Sequence, residues 1–431
     1  MSPAFDVIVV GAGPAGSAAA LAAARGGLSV ALLERGVSPG SKNMFGGVLY
    51  THSLRGLLPD FAHEAPLERT ITRRVIAMTA GEATVAIDFG QRRLAQSPYG
   101  AFTVIRGHFD QWLADSARRA GATLVCQSVA DQLKKGAAGA VEGVVLRDGT
   151  ELLAPVTICA DGVNSLLARR AGLRSAFADH QLALGVKKTL ALPATVIEER
   201  FRVEPGEGVD TIYLGGFTRG MTGGGFLYTN RETLSAGITV TLSHLRRTGL
   251  RPEQVLDHFL AEPSVRKLVE GAEVLEYSAH LIPEGGYTSI PTLSAPGVLL
   301  AGDAAGFVLN SGINLEGANL AITSGRLAGE TAAAAHRAGD CSGRFLSRYR
   351  KALEGSHVLK DLKTYKAAPK FLDNPRVFTA YPSLVAAMLD DLMTVDGTPK
   401  RRMHRVGLSR MRTEVGWRGL LRDMLAARRY I

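Results

Sequence analysis

The chain has 431 residues, 46% of them hydrophobic, with 50 Lys and Arg against 40 Asp and Glu for a formal net charge of +10. A chain of this length rarely folds around one uninterrupted core, so at least two packed regions are expected. Its three cysteines, Cys126, Cys159 and Cys341, stand apart from one another, which excludes a disulfide framework and any CxxC zinc or cluster motif and fits a reducing cytoplasm.

In chain order, the start MSPAFDVIVVGAG enters an apolar strand with no basic n-region or cleavage site, so secretion is not expected. Phe5 to Val10 reads as a buried strand, Pro14 to Arg25 as an Ala-rich helix and Ser29 to Leu33 as a second strand, together a βαβ unit. A helix follows over Phe109 to Ala120, with Phe109, Leu113 and Ala117 on its apolar face and Asp110 and Asp115 exposed. Strands are expected at Thr123 to Cys126 and Val156 to Ile158. From Leu182 to Leu242 the text turns β-rich, with strands at Arg200 to Val203, Thr211 to Leu214, Gly225 to Thr229 and Leu234 to Thr241. The run Gly223, Gly224, Gly225 reads as a loop or bulge beside them. A strand at Gly297 to Ala301 returns to the first style, then a long helix spans Leu315 to Ala338. Beyond Ser342 the chain is helical and is cut into short pieces by Pro369, Pro375, Pro382 and Pro399. No window reaches the roughly 18 to 20 apolar residues that a membrane-spanning helix needs, so any membrane contact is expected from the surface.

Three segments carry the chemistry. Gly11-Ala-Gly13-Pro-Ala15-Gly16 lies between strand and helix, where glycines permit a tight turn, close approach to a pyrophosphate and close helix packing. The helix N-terminus then faces the phosphates. Glu34, followed by Arg35, closes the second strand where a carboxylate can accept from a ribose hydroxyl. This pattern serves FAD and NAD alike. The second segment is Cys159-Ala-Asp161-Gly162, after an apolar strand, and the third is Gly302-Asp303, whose aspartate suits a ribityl hydroxyl.

This set resembles the glutathione-reductase-type flavoproteins in the branch holding aromatic hydroxylases, geranylgeranyl reductases and electron-transfer-flavoprotein:ubiquinone oxidoreductases. The resemblance implies FAD, held by Gly11, Gly13, Gly16, Glu34, Gly302 and Asp303. A closer likeness lies in Pro39 to Tyr50, Gly185 to Lys188, Gly224 to Asn230 and Ser311 to Gly317, which look like the flavoprotein subunits of Fix-type electron-transfer complexes, the FixC family. It implies that Gly46 and Gly47 lie under the isoalloxazine ring. Gly312, Ile313 and Asn314 would open the long helix and aim backbone N–H groups at flavin N1 and O2. Arg106 would sit near the phosphates and ribityl chain, and Val129 would meet the adenine through its backbone.

The expected architecture is α/β, a glutathione-reductase-type Rossmann domain with an inserted antiparallel sheet domain and a helical C-terminal extension. The FAD-binding domain would comprise 1–75, 100–180 and 296–341. The inserted sheet, 76–99 and 181–295, would form the far wall of the active site, and 342–431 would be the basic helical region. No GxSxG or HExxH is present and the histidines are scattered, so neither a side-chain nucleophile nor a metal centre is expected. The quinone oxidoreductase relatives end in a cysteine-rich iron-sulfur domain, and this chain stops at Ile431 without those cysteines. The resemblance therefore implies an electron-transfer flavoprotein as donor and a small ferredoxin-like subunit as electron exit, on a path toward quinone. From Lys400 to Ile431 ten basic residues face two acids, and Trp417, Leu420, Leu421, Met424 and Leu425 recur at helical spacing. That fits a helix lying on an anionic membrane, on the inner face of the cytoplasmic membrane, or on a partner; a core-packed terminal helix is the other reading. No nucleic-acid-binding module accompanies the charge. The competing function is a self-contained reductase or monooxygenase acting on a lipid-like substrate with NAD(P)H.

Overall fold

The computed structural model describes residues 5–41 and 47–428. Two compact units emerge: Met1–Glu68, Tyr99–Gln181 and Leu281–Lys366 form the first, and Arg69–Pro98, Leu182–His280 and Ala367–Ile431 the second.

Continuous apolar runs decide the first unit. Val7–Val10 and Val30–Leu33 are wholly apolar, Val156–Cys159 is so but for Thr157, and all three are buried throughout, the pattern of parallel strands covered on both faces. They join a six-stranded sheet in the order Ser294–Ala295, Val298–Leu300, Val156–Cys159, Val7–Val10, Val30–Leu33, Thr123–Val125, parallel except at the Ser294–Ala295 edge. The helix Pro14–Arg25 starts behind Gly13 with proline in its first turn, where the missing N–H costs no helical bond. Ala318–Ala338 crosses it through glycines. A Cβ on Gly325 would lie 2.0 Å from the Ala15 carbonyl oxygen, and one on Gly329 2.3 Å from that of Ala19. A three-stranded antiparallel sheet, Ala130–Lys135, Val141–Leu146 and Glu151–Leu153, belongs to the same unit.

The long helix begins at Ala318, not at Leu315. Leu315–Glu316 is taken up instead by a short hairpin with Leu309–Asn310, and Gly317 becomes the N-cap. A second expectation also fails. Asp110 was placed on the exposed face of its helix, now Arg106–Arg119, yet its side chain is 1% exposed because Arg106 one turn earlier folds over it.

In the second unit a sheet runs in the order Glu273–Pro283, Leu182–Ala191, Thr233–Thr241, Gly223–Thr229, Glu207–Gly215, Leu67–Ala80, with Ala83–Gly90 paired to the last. Arg200 to Val203 is not a strand. The helix Ala194–Phe201 covers it, buries Ile197 and Phe201 four residues apart, and ends at Arg202 in the left-handed region. Four residues of alternating pattern cannot separate the two periods. The glycine run is strand, not loop: a Cβ on Gly225 would lie 2.4 Å from the Phe259 ring, so glycine there makes room for an aromatic. Pro382 does not break its helix either, since it sits in the first turn of Ala380–Met393, where no intrahelical N–H bond is due. The helix Trp417–Ala427 turns its apolar side outward. Trp417, Leu421, Met424 and Leu425 are 50–62% exposed, while Asp423 is buried, held by Arg376 Nε at 2.7 Å and by the Tyr381 hydroxyl at 3.0 Å. A core-packed terminal helix is therefore not what forms.

Candidate cofactor site

The turn after the first strand is shaped by backbone contact. Gly11 has φ 101°, and a Cβ there would lie 2.4 Å from the Ala160 oxygen; one on Gly16 would lie 1.7 Å from the Gly11 oxygen. Gly13 differs, because the one atom within 4 Å of its Cβ position is Arg106 Nη2, at 3.9 Å. An open glycine beside a cation at a helix N-terminus suits a pyrophosphate. Ala15 is buried in the same helix and limits Gly302, whose φ of 63° and 2.7 Å approach to the Ala15 Cβ both call for glycine. Ser324 accepts the Gly302 N–H at 3.0 Å.

Glu34 ends its strand nearly buried. Its two carboxylate oxygens accept the Ala12 N–H at 3.0 Å and the Gly36 N–H at 2.7 Å, which fixes its orientation, and each retains a further lone pair for a hydroxyl. Arg35 beside it is exposed. The guanidinium of Arg106 meets Asp110 in a two-point pair, Nε to Oδ1 and Nη2 to Oδ2, both 2.7 Å. Its field also reaches Asp303. Burial pushes the Asp303 carboxyl up to about 6, against the opposing pull of Arg106. Asp110 was missed as a site residue, although its spacing of four from Arg106 was a visible signal.

Asp161 does two things. One oxygen accepts the Leu167 N–H at 3.2 Å and so serves the start of the helix Leu166–Arg170, while Oδ1 is buried with no partner among the described residues. Burial raises its carboxyl above the ordinary range.

Gly312, Ile313 and Asn314 occupy the hairpin loop, four or more residues before the long helix. Two of the three expected N–H donors are already engaged: Gly312 N–H donates to Asn310 Oδ1 at 2.9 Å and Asn314 N–H to Ser311 Oγ at 3.0 Å. The Ile313 N–H is not taken up by the loop's own bonds, and Asn314 Oδ1 is buried without a partner among the described residues. Val129 gives its carbonyl to the Arg147 N–H at 2.8 Å, so only its amide nitrogen fits the adenine role. Gly47 opens the strand Gly47–Tyr50 with nothing within 4 Å of a Cβ. Gly46 lies outside the described residues.

The donor set fits FAD. A cradle that only glycine leaves open, a carboxylate at the second strand end, a cation beside the helix N-terminus and two orphaned buried oxygens, Asp161 Oδ1 and Asn314 Oδ1, all belong to one unit.

Comparison with known proteins agrees. Residues 6–214 match the FAD-dependent oxidoreductase family model, and 368–431 match the ETF-QO/FixC family C-terminal domain. Protein FixC of Salmonella typhi is 42% identical over 98% of this chain and 97% of its own length. The probable electron transfer flavoprotein-quinone oxidoreductase YdiS of Escherichia coli K12 is 40% identical over 97% of each. Among solved structures, a geranylgeranyl bacteriochlorophyll reductase-like protein from Thermoplasma acidophilum shares the fold, with a TM-score of 0.72 at 21% identity over 98% of both chains. With 40% or more identity along almost its whole length and the family's own C-terminal domain, the chain belongs to the ETF-QO/FixC family of FAD-dependent oxidoreductases.

Proposed function

We propose that the chain takes electrons from a reduced electron-transfer flavoprotein onto FAD and passes them, through a separate ferredoxin-like iron-sulfur subunit, toward membrane quinone. The observation that carries this reading is the near-full-length likeness to YdiS, a probable electron transfer flavoprotein-quinone oxidoreductase by name, which supports the two ends of that path. The separate subunit is favoured by the cysteine count, since three scattered thiols fall short of the four ligands of a conventional cluster.

FAD supplies the two-electron chemistry, and the protein supplies position and electrostatics. Gly11, Gly13, Ala15 and Gly16 bring the helix N-terminus to the pyrophosphate, with Arg106 as counter-charge. Glu34 orients the adenosine ribose, with Arg35 and the Val129 amide at the adenine end. Asp303, beside Gly302, takes a ribityl hydroxyl, and Asp161 offers its free oxygen nearby. Gly46 and Gly47 leave the ring face bare for close approach of a donor, and Ile313, between Gly312 and Asn314, offers its N–H to the pyrimidine edge.

The outward apolar side of Trp417–Ala427 also fits membrane contact. Arg418, Arg422 and Arg428 are exposed on the same helix, and the buried Asp423 anchors the opposite side. Basic and apolar residues arranged so are suited to an anionic bilayer surface, with about 1 kcal/mol gained per basic residue close to it.

The test is anaerobic mixing of the FAD-loaded protein with reduced electron-transfer flavoprotein, NADH or NADPH while the visible flavin band is followed. Bleaching by the flavoprotein donor and not by nicotinamides is the expected result. Fast bleaching by NADPH alone would transfer the assignment to a self-contained reductase or monooxygenase.

A further inference from the structure

Among the described residues Glu284 is a carboxyl with no cation paired to it. It lies directly after the strand Glu273–Pro283, partly buried, and its backbone N–H is tied to the Gln181 carbonyl at 2.8 Å. The side-chain partner found for it is neutral: Asn310 Nδ2 donates to Oε1 at 3.2 Å. The same amide accepts the Gly312 N–H through Oδ1 at 2.9 Å. One asparagine therefore links this carboxyl directly to the loop that carries Gly312, Ile313 and Asn314. Titratable groups on neighbouring segments are Asp179 and His180, Tyr287, Glu316 and, four residues earlier in the chain, His280. Burial pushes its carboxyl up to about 7, with the Asn310 hydrogen bond as the opposing influence. Among the described residues its one side-chain hydrogen bond comes from that neutral amide.

From this geometry we propose that Glu284 is the redox-linked proton-holding residue of the site, coupled to the flavin through Asn310 and the 312–314 loop. The proposal rests on the reading that places that loop at the pyrimidine edge. When two electrons from the donor flavoprotein leave negative charge at that edge, Glu284 takes one proton from solvent, forming an O–H bond at a carboxylate oxygen. The bond breaks and the proton returns to solvent when the electrons pass to the acceptor. Glu284 thus offsets the charge without a proton at N1, and the loop dipoles keep their negative partner.

The pH pattern sets this apart from direct N1 protonation. Below about pH 7 Glu284 is already protonated before reduction, so two-electron reduction would take up only the proton that bonds at flavin N5; above it, that proton and the one at Glu284, two in all. N1 protonation would produce the reverse, two at low pH and one at high. The experiment is reductive titration of the FAD-loaded protein from pH 5.5 to 8.5, with proton uptake read by an indicator dye and the midpoint potential by spectroelectrochemistry. The wild-type protein is expected to rise from one proton to two across neutrality, with a matching steepening of potential against pH. E284Q should remain at one throughout, and E284D should restore the rise, which a merely structural role would not do. Wild-type uptake that falls with pH, or E284Q indistinguishable from wild type, overturns the proposal. In that event Ile313→Pro, which deletes the remaining loop donor, separates the two readings. A shifted potential leaves the loop at the pyrimidine edge with Glu284 uninvolved, and an unshifted one removes the loop from the flavin as well.

Discussion

Arg106 balances two acids of the cofactor site. Asp110 lies beneath it with both oxygens on the guanidinium, and Asp303 feels the same cation. Arg106→Ala leaves a buried carboxylate without its partner, and loss of one member of such a pair costs about 3–5 kcal/mol. Chemical denaturation of the FAD-free protein is expected to show a loss of that size. Arg106→Met combined with Asp110→Leu should recover most of the stability while FAD affinity remains depressed. At this scale the sequence was legible where function is local. The GxGxxG spacing and the Gly-Asp pair are short motifs after apolar strands, so they can be picked out without the fold, although the contacts that call for glycine, Gly11 with Ala160 and Gly302 with Ala15, are long-range. Asp110 was misplaced because the apolar stripe of Phe109, Leu113 and Ala117 marks the inward face but not its width, and an acid beside that stripe can be buried when a cation pairs with it. Glu284 escaped notice because its partner, Asn310, comes from a hairpin 26 residues later.

Among the elements, the crossing of Pro14–Arg25 with Ala318–Ala338 is the tightest constraint on the site. The glycines of the second helix let its backbone reach the first, and the first aims its N-terminus at the phosphates. Gly325→Ala places a methyl group 2.0 Å from the Ala15 oxygen. Overpacking of this kind typically costs about 1–3 kcal/mol, and backbone contact leaves little room to relax. Denaturant midpoints should fall accordingly and FAD should bind more weakly, because the displaced helix carries Ala15 and Gly16. Gly355→Ala is the matched control: it ends the helix Arg348–Gly355 with nothing within 4 Å of a Cβ, and should be neutral or stabilising by about 0.4–1 kcal/mol. The parallel strands of the first unit and the helices Pro14–Arg25, Arg106–Arg119 and Ala318–Ala338 were legible to within a few residues, since continuous apolar runs bounded by glycine have few alternatives, whereas its three-stranded antiparallel sheet was not foreseen. The errors fell where two periods coincide, at Arg200 to Val203, and where glycine served packing instead of turning, at Gly223 to Gly225.

For the whole molecule, among the described residues no helix is long and apolar enough to cross a membrane, and the outward side of Trp417–Ala427 is the surface proposed for membrane contact. Leu421→Glu with Leu425→Glu should abolish cosedimentation with vesicles containing anionic lipid. Its fold should be untouched, because both side chains are about 60% exposed. Raised salt should weaken binding of the wild-type protein in the same assay. Unchanged sedimentation of the double variant would reassign this helix to a protein partner. The outward helix was half legible: its periodicity was plain, but which side faced solvent depended on Arg376, 47 residues away, claiming Asp423. The parallel sheet has a consequence for biosynthesis. Its first-made strand, Val7–Val10, sits one strand away from one of its last, Val298–Leu300, with Val156–Cys159 between them. A chain emerging from the ribosome therefore exposes its glycine turn and apolar strands for most of translation before Gly302 and Asp303 arrive. Nascent chains arrested before the codon for Gly302 should bind no flavin, and this interval is when the newborn protein most needs a chaperone.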